Sequence, residues 1–451
     1  MNGLTWQVWS KAVGLKGDRT YVGFGLGAIQ AGLFLYEALQ SGSFRRLVVA
    51  EILPEIVHCV RENRGFITVN IARADRVEAV PVGPVDILNP AVGIDRQKLV
   101  DTLAVSDEIG TAVPAIRFYS SEGPESLCRI LAAGLRGKAQ RGGPRAVLYA
   151  AENHNHAAEI LEELVLEVIP LTEREVASSH VRFLNTVIGK MSGTIIGRRE
   201  IAKLGLDPMT PDSDRAFLVE AFNQILVSRI SFPNEDRVPA FERGITTFIE
   251  KENLLPFEEA KLFGHNATHA LAAYLGEVLS IRRIADIPSV PGFLEFLRRA
   301  FIEESGRALI HRYHGIDPLF TSQGYEDYAE DLLKRMVNPW LTDTSERVGR
   351  DVSRKLGWED RLVGTLRLGI AEGVTPHRYA LGAAAALIRL DPSLIASAAD
   401  PSDCLLPLWG AGLRDPAQEI AVLALIRDAI SHLRRWYSAP RGEPRALLGE
   451  L

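Results

Sequence analysis

Lys261, His265, Asn266 and His269 bring an amine, two imidazoles and an amide into one short stretch. They lie in FEEAKLFGHNATHALAAYLG, Phe257 to Gly276, which lacks proline and has no internal helix breaker except Gly264. Ala and Leu fill much of it, so the stretch reads as one long helix. At about 100° per residue from Lys261, His265 falls about 40° round, His269 about 80° and Asn266 about 140°. The four polar groups therefore turn to roughly one side, leaving Leu262, Phe263, Ala270 and Leu275 for packing. Such a set can handle a proton and an oxygen. Desolvation disfavours the charged form of a lysine and tunes it toward a general base. Asn and His can donate hydrogen bonds to an oxygen that develops negative charge. A half-exposed amphipathic helix with its polar side in water would show the same spacing.

KLFGHNATHALAAYLG resembles the signature helix of the mannitol dehydrogenase and mannitol-1-phosphate 5-dehydrogenase superfamily, the polyol-specific long-chain dehydrogenases. The shared pattern is Lys, four residues, Asn, two residues, His, then an Ala-rich run ending in Tyr-Leu-Gly. The resemblance implies that Lys261 takes the substrate's hydroxyl proton, that Asn266 holds its oxygen, and that His269 orients the substrate. A second segment, HVRFLNTVIGKMSGT (180–194), is similar to the one that supplies a partner amide, here Asn185. It departs from the pattern in reading Val-Ile-Gly-Lys where relatives carry an Asp-Arg pair. The resemblance implies a metal-independent enzyme, with lysine and two amides in place of the Lewis acid of zinc-dependent alcohol dehydrogenases.

These groups need a hydride acceptor, and the first half of the chain has the makings of its seat. From Thr20, TYVGFGLGAIQAGLFLYEAL followed by FRRLVVAEI reads as strand, Gly-rich turn, helix and a second, apolar strand suited to a parallel sheet buried on both faces. Gly25 and Gly27 permit a tight turn, and Ala28 and Ile29 continue it, so that backbone amides at the helix start can meet a pyrophosphate. Gln30 occupies the place of the third fingerprint glycine, and Gly32 follows. Glu51 ends the second strand, where a carboxylate accepts ribose hydroxyls and repels a 2'-phosphate, favouring NAD over NADP. GLGAIQAG also resembles the glycine turn of the mannitol-1-phosphate enzymes.

Further along, DEIGTAVPA (107–115) resembles the family strand that delivers a small-residue turn, Ala112, Val113 and Pro114, beside the nicotinamide; an ordinary strand end would look the same. AVLYAA (146–151) is an apolar strand ending in Glu152 and Asn153, at the carboxyl edge where ligands of parallel sheets bind. His154 and His156 diverge at i and i+2, which disfavours a metal, and Asn155 and His156 suit the start of the helix running through Glu167.

After about Pro208 the character changes, and helical patterns dominate beyond 257. Arg347, Arg354 and Lys355 lie in a run, 347–362, that resembles the phosphate branch of the family. They could clamp a substrate phosphate, since arginine's planar fork suits it. Arg-Asp-rich helix ends also form structural ion pairs.

The expected fold class is α/β, a Rossmann-type nucleotide-binding domain followed by a mostly α-helical C-terminal domain. The expected division is an N-terminal arm, 1–19, an NAD-binding domain, 20–212, and a helical substrate domain, 213–451. A chain of 451 residues suits two domains or more, and 47% apolar with 24% charged residues is ordinary for a globular protein. A net charge of −6 leaves no footprint for nucleic acid or an anionic membrane. Cys59, Cys128 and Cys404 make neither a disulfide framework nor a metal quartet, which fits a cytoplasmic setting. The expected partners are NAD and a small polyol, ketose or their phosphates, with homo-oligomerisation left open. Two alternatives stand beside this: NAD-linked oxidation of a sugar acid or other sugar phosphate, and a non-catalytic dinucleotide sensor.

Overall fold

The computed structural model describes residues 15–233, 240–396, 399–439 and 444–449. The first fourteen residues of the expected N-terminal arm lie outside them. The chain divides into two compact units, Met1–Leu254 and Leu255–Leu451.

The strands of the first unit are β1 (Arg19–Phe24), β2 (Phe44–Ala50), β3 (Ile67–Ala72), β4 (Val77–Val82), β5 (Val85–Leu88), β6 (Glu108–Thr111), β7 (Ala146–Ala150), β8 (Val181–Val187), β9 (Ser192–Ile196), β10 (Arg215–Glu220), β11 (Ile225–Ser228) and β12 (Phe248–Lys251). Eight of them form one sheet in the order β12-β11-β8-β7-β6-β1-β2-β5. From β5 to β8 every pairing is parallel, while β11 runs antiparallel to β8. The apolar runs predicted this. Alternate residues of each strand feed opposite cores: Tyr21, Leu47, Val49 and Tyr149 enter one, and Val22, Val48, Ala50 and Leu148 the other. A fully buried Val or Leu in such a place contributes about 1.5–3 kcal/mol over an exposed one. The other four strands make a smaller sheet, β4-β3-β10-β9.

The expected boundary near 212 and the observed one at 254 differ for a physical reason. Residues 215–251 pair as strands with earlier ones, β10 beside β3 and β11 beside β8. Their ladder hydrogen bonds tie them to the first unit.

The second unit is helical. Its central rod runs from Leu255 to Val278 as Leu255–Glu259, a π-helical turn Ala260–Asn266, and Ala267–Val278. Small residues let helices close on it: a Cβ at Gly382, in the helix His377–Leu390, would stand 2.6 Å from Leu271 Cδ1. The helix Pro416–Ser438 then packs on His377–Leu390. No helix among the described residues is long and apolar enough to cross a membrane.

Candidate active site

In the first unit the strand order reverses between β1 and β6: from β1 the chain goes outward to β2 and β5, then returns to β6, β7 and β8. Ligands of open α/β sheets bind beyond the carboxyl ends of the strands at such a reversal. Two expected groups meet there. Gly25 takes φ +82°, and a Cβ on it would stand 3.0 Å from the Ala112 carbonyl oxygen and 3.5 Å from Val113 Cγ1. The first glycine thus lets the β1 turn lie against the β6 turn. Gly27 differs. A Cβ there would meet no protein atom within 4 Å, so packing gives no reason for glycine, whereas close approach of a ligand to the backbone does. The residues fit a dinucleotide pyrophosphate over Gly27, Ala28 and Ile29.

Gln30, out of place by the fingerprint, is fully buried, and its Nε2 donates to Tyr21 Oη at 2.8 Å. Room for it comes from Gly23 on the strand opposite, where a Cβ would fall 2.2 Å from Gln30 Nε2. The missing side chain has moved from helix to strand, and close packing survives.

Glu51 is buried, with Oε2 accepting from the Leu26 amide at 2.7 Å and Oε1 from the Leu53 amide at 2.9 Å. It is clamped between the glycine turn and the segment after β2, with lone pairs left for ribose hydroxyls. Glu152 faces inward. It accepts from Thr111 Oγ1 at 2.8 Å, from the Val113 amide at 2.9 Å and from Tyr119 Oη. Burial raises its pKa, and these donors oppose the rise. Its observed work is to hold the Ala112–Val113 turn. Asn153 beside it is exposed, and His154 Nδ1 accepts the His156 amide at 3.1 Å.

Asn185, two residues before the end of β8, is buried with its amide engaged. Oδ1 accepts from the Ala158 amide at 2.9 Å, and Nδ2 lies 2.9 and 2.7 Å from the two Glu159 oxygens. It ties β8 to the start of the helix Ala157–Val168.

In the second unit Lys261, His265 and Asn266 all fall on the π turn, with His269 one turn beyond. A π turn holds more residues than an α turn, so angles counted at 100° per residue do not carry across it. Gly264 makes the turn fit: a Cβ there would stand 2.5 Å from both Phe301 Cε2 and Tyr325 Oη. Thr365 Oγ1 reaches the Phe263 carbonyl at 3.2 Å. The Tyr-Leu-Gly end of the signature fastens the rod to the short helix Ser345–Val348, which bears Arg347, and to Gly349 after it. Tyr274 Oη donates to the Gly349 carbonyl at 2.9 Å, and Gly276 leaves space for Ser345, whose Oγ would be 2.7 Å from a Cβ.

Burial pushes the Lys261 ammonium down to about 8, Arg361 adds to the effect and Glu258 opposes it. His265 is held well below its ordinary value by burial, with Arg335, His269, Lys261 and Arg361 reinforcing. His269 falls to about 3, from burial and then Arg347, Arg361 and Lys355. Its Nε2 lies 3.6 Å from Asp343 Oδ2, but Asp343 already pairs with Arg347 and the imidazole is neutral at pH 7. This Nε2 is buried with no hydrogen-bond partner, a polar atom waiting for a ligand.

The three residues of the expected phosphate clamp have protein partners. Arg347 pairs with Asp343, and Arg354 lies 3.4 Å from Asp360 and 3.9 Å from Asp351. Lys355 is buried and donates to the Arg350 carbonyl. Arg361 lies in the run 347–362 but has no role assigned from the sequence. Its Nε donates to Asp360 Oδ1 at 2.8 Å, while its Nη2 is buried without a partner. Nothing in the sequence marks it out, because which acid answers which arginine is decided by packing. Among the described residues no group of three His, Cys, Asp or Glu side chains converges on a metal position.

Comparison with known proteins follows the same lines. Residues 253–411 match the mannitol dehydrogenase C-terminal domain family. Over 365 residues, 81% of this chain and 86% of the relative, the chain is 30% identical to mannitol-1-phosphate 5-dehydrogenase of Bacillus licheniformis. It is 29% identical over 363 residues to that of Halalkalibacterium halodurans, covering 80% of this chain and 86% of the relative. Its fold is similar to that of D-sorbitol dehydrogenase in substrate-free form, with TM-score 0.74, 15% identity and 96% and 95% of the two chains covered. It is also similar to Pseudomonas fluorescens mannitol 2-dehydrogenase in ternary complex with NAD and D-mannitol, with TM-score 0.62, 17% identity, and coverage of 96% and 88%. A sequence relative at this identity and coverage, with the matching domain over the lysine-bearing rod, shows that the chain belongs to the mannitol and mannitol-1-phosphate dehydrogenase family.

Proposed function

We propose that the protein is an NAD-dependent oxidoreductase that interconverts an open-chain polyol, or its phosphate ester, with the corresponding ketose. The observation that carries this is Lys261 on the π turn, its ammonium pushed down to about 8 from 10.5. At pH 7 about one molecule in ten then holds the free amine, against about one in 3,000 for an ordinary lysine. The base is ready at working pH.

Bound NAD supplies the hydride acceptor at the nicotinamide ring. Gly25 and Gly27 admit its pyrophosphate, Glu51 holds the ribose, and the Glu152-braced turn at Ala112 and Val113 supports the nicotinamide side. Lys261 Nζ takes the hydroxyl proton as the carbinol C–H leaves with its electron pair. Asn266 donates to the oxygen while it carries negative charge. His269, neutral, donates or accepts through its unpartnered Nε2 and orients a neighbouring hydroxyl. Asn185 is bonded to Glu159, so the oxygen is assigned to Asn266 first. The cytoplasm, where NAD and sugar phosphates are made, is the compartment this chemistry suits.

The experiment is a panel of polyols, polyol phosphates and hydroxy acids with NAD, repeated with Lys261→Ala. Turnover on a polyol or its phosphate should fall by about 10²–10⁴ in the variant, with NADH binding nearly intact. In the wild type, kcat/KM for oxidation should rise with pH through about 8 as the amine loses its proton. NADH binding without hydride transfer to any ketose points instead to a sensor, and activity confined to hydroxy acids to the sugar-acid reading.

A further inference from the structure

Lys261 and Asn266 must meet at one oxygen, the base to take its proton and the amide to donate to it. In an α-helix, at about 100° per residue, these two positions would stand about 140° apart and face different neighbours. Both lie on the π turn Ala260–Asn266. A π turn closes by hydrogen bonds between residues i and i+5, so side chains at that spacing come round to nearly the same side. Lys261 and Asn266 have that spacing. The extra residue in the turn therefore directs two groups that an α-helix would separate toward a common point.

Regular α-helix is the default for such a sequence, and this turn is gripped from two sides. On one side Gly264 leaves room for Phe301 Cε2 and Tyr325 Oη, each 2.5 Å from where a Cβ would stand. On the other lies the helix Val363–Ala371. Gly364 lets it close on Phe263, whose Cε1 would be 2.5 Å from a Cβ there. The winding also redirects backbone hydrogen bonds. The Ala267 amide would serve the Phe263 carbonyl in an α-helix, but it donates to the Gly264 carbonyl instead. Thr365 Oγ1 meets the Phe263 carbonyl at 3.2 Å. Thr365 is buried, and the same oxygen lies 2.5 Å from the Arg361 carbonyl in its own segment. One hydroxyl proton is thus held between two carbonyls, and it pins the helix to the turn between Lys261 and Asn266.

We propose that the π turn is what brings Lys261 and Asn266 onto the same substrate oxygen, and that Thr365 is the positioning residue that keeps the turn wound. Relaxed to an α turn, the segment would present one of the two groups to the substrate but not both. The inference rests on the hydride-transfer reading and assigns the residue that supports its base.

The test uses the full chain with Thr365→Val, which keeps the shape and removes the hydroxyl, and Thr365→Ser, which keeps the hydroxyl. With NADH and the ketose or ketose phosphate that the wild type reduces fastest, kcat should fall on the order of 100-fold in Thr365→Val, the scale of a reacting group displaced by about 1 Å. NADH affinity should be unchanged, and Thr365→Ser should recover most of the loss. Wild-type kcat in Thr365→Val overturns the proposal. So does an equal loss in Thr365→Ser, which marks methyl packing rather than the hydroxyl. Amide hydrogen exchange needs no turnover and so separates this inference from the reading beneath it. Exchange that quickens in Thr365→Val within 260–267 alone supports the clamp even in a protein that reduces no ketose. Exchange unchanged there, or quickened throughout the helical unit, refutes it.

Discussion

Lys261→Met is expected to make the protein more stable as it makes it inactive. The folded environment holds the lysine pKa at about 8 where an ordinary lysine stands at 10.5. One unit is worth about 1.4 kcal/mol, so the charged side chain costs the native state up to about 3 kcal/mol below pH 8. Methionine has a similar length and no charge to desolvate, and it fills irregular space well. The sign follows from the depressed folded pKa. Between pH 8 and 10.5 the unfolded chain binds a proton that the native chain does not, so wild-type stability rises with pH across that window. The deficit is complete below pH 8 and is recovered by about 10.5. Denaturant unfolding of both proteins at pH 7, 8.5 and 10 reads this directly. The variant should lead by up to about 3 kcal/mol at pH 7, equivalent to about 6–12 °C in a thermal midpoint for a unit of this size, and the lead should shrink at each step. A variant no more stable than wild type at pH 7, or a gap that ignores pH, would show that the lysine is not desolvated. Lys261 would then be no ready base at neutral pH.

Two other expectations come from single residues. Glu51→Ser should lower the NAD-over-NADP preference by removing the carboxylate that repels a 2'-phosphate and by freeing the Leu26 amide; steady-state kinetics with both cofactors measures it, and an unchanged ratio would place the ribose elsewhere. Gly264→Ala should cost about 1–3 kcal/mol by overpacking against Phe301 and Tyr325, and kcat should drop with NADH affinity preserved; a neutral substitution would mean that the π turn relaxes without moving Lys261.

Much of this protein was legible along the chain because its signals are local. The glycine turn with an acid at the end of the next strand predicted a parallel nucleotide-binding sheet, and β1, β2 and Glu51 lie where that pattern puts them. Spacing brought Lys261, Asn266 and His269 onto one rod, and the absence of proline predicted that the rod is continuous. What the chain alone left undecided depends on partners brought together by packing between elements. The π turn is shaped by Gly264 meeting Phe301 and Tyr325 and by Thr365 reaching Phe263, so no count of degrees along a helix could foresee it. Gln30 looked like a defect until Gly23 was found across from it, because compensation between a helix and a strand is a matter of volume. Hydrogen bonding gives two polar residues partners that the sequence did not show: Glu152 braces the Val113 turn, and Asn185 is held at Glu159. Arg361 emerged only because burial left one of its nitrogens without an acceptor. Residue type and spacing decide which groups are available; which of them are already satisfied is decided by how separate segments pack, some a hundred residues apart.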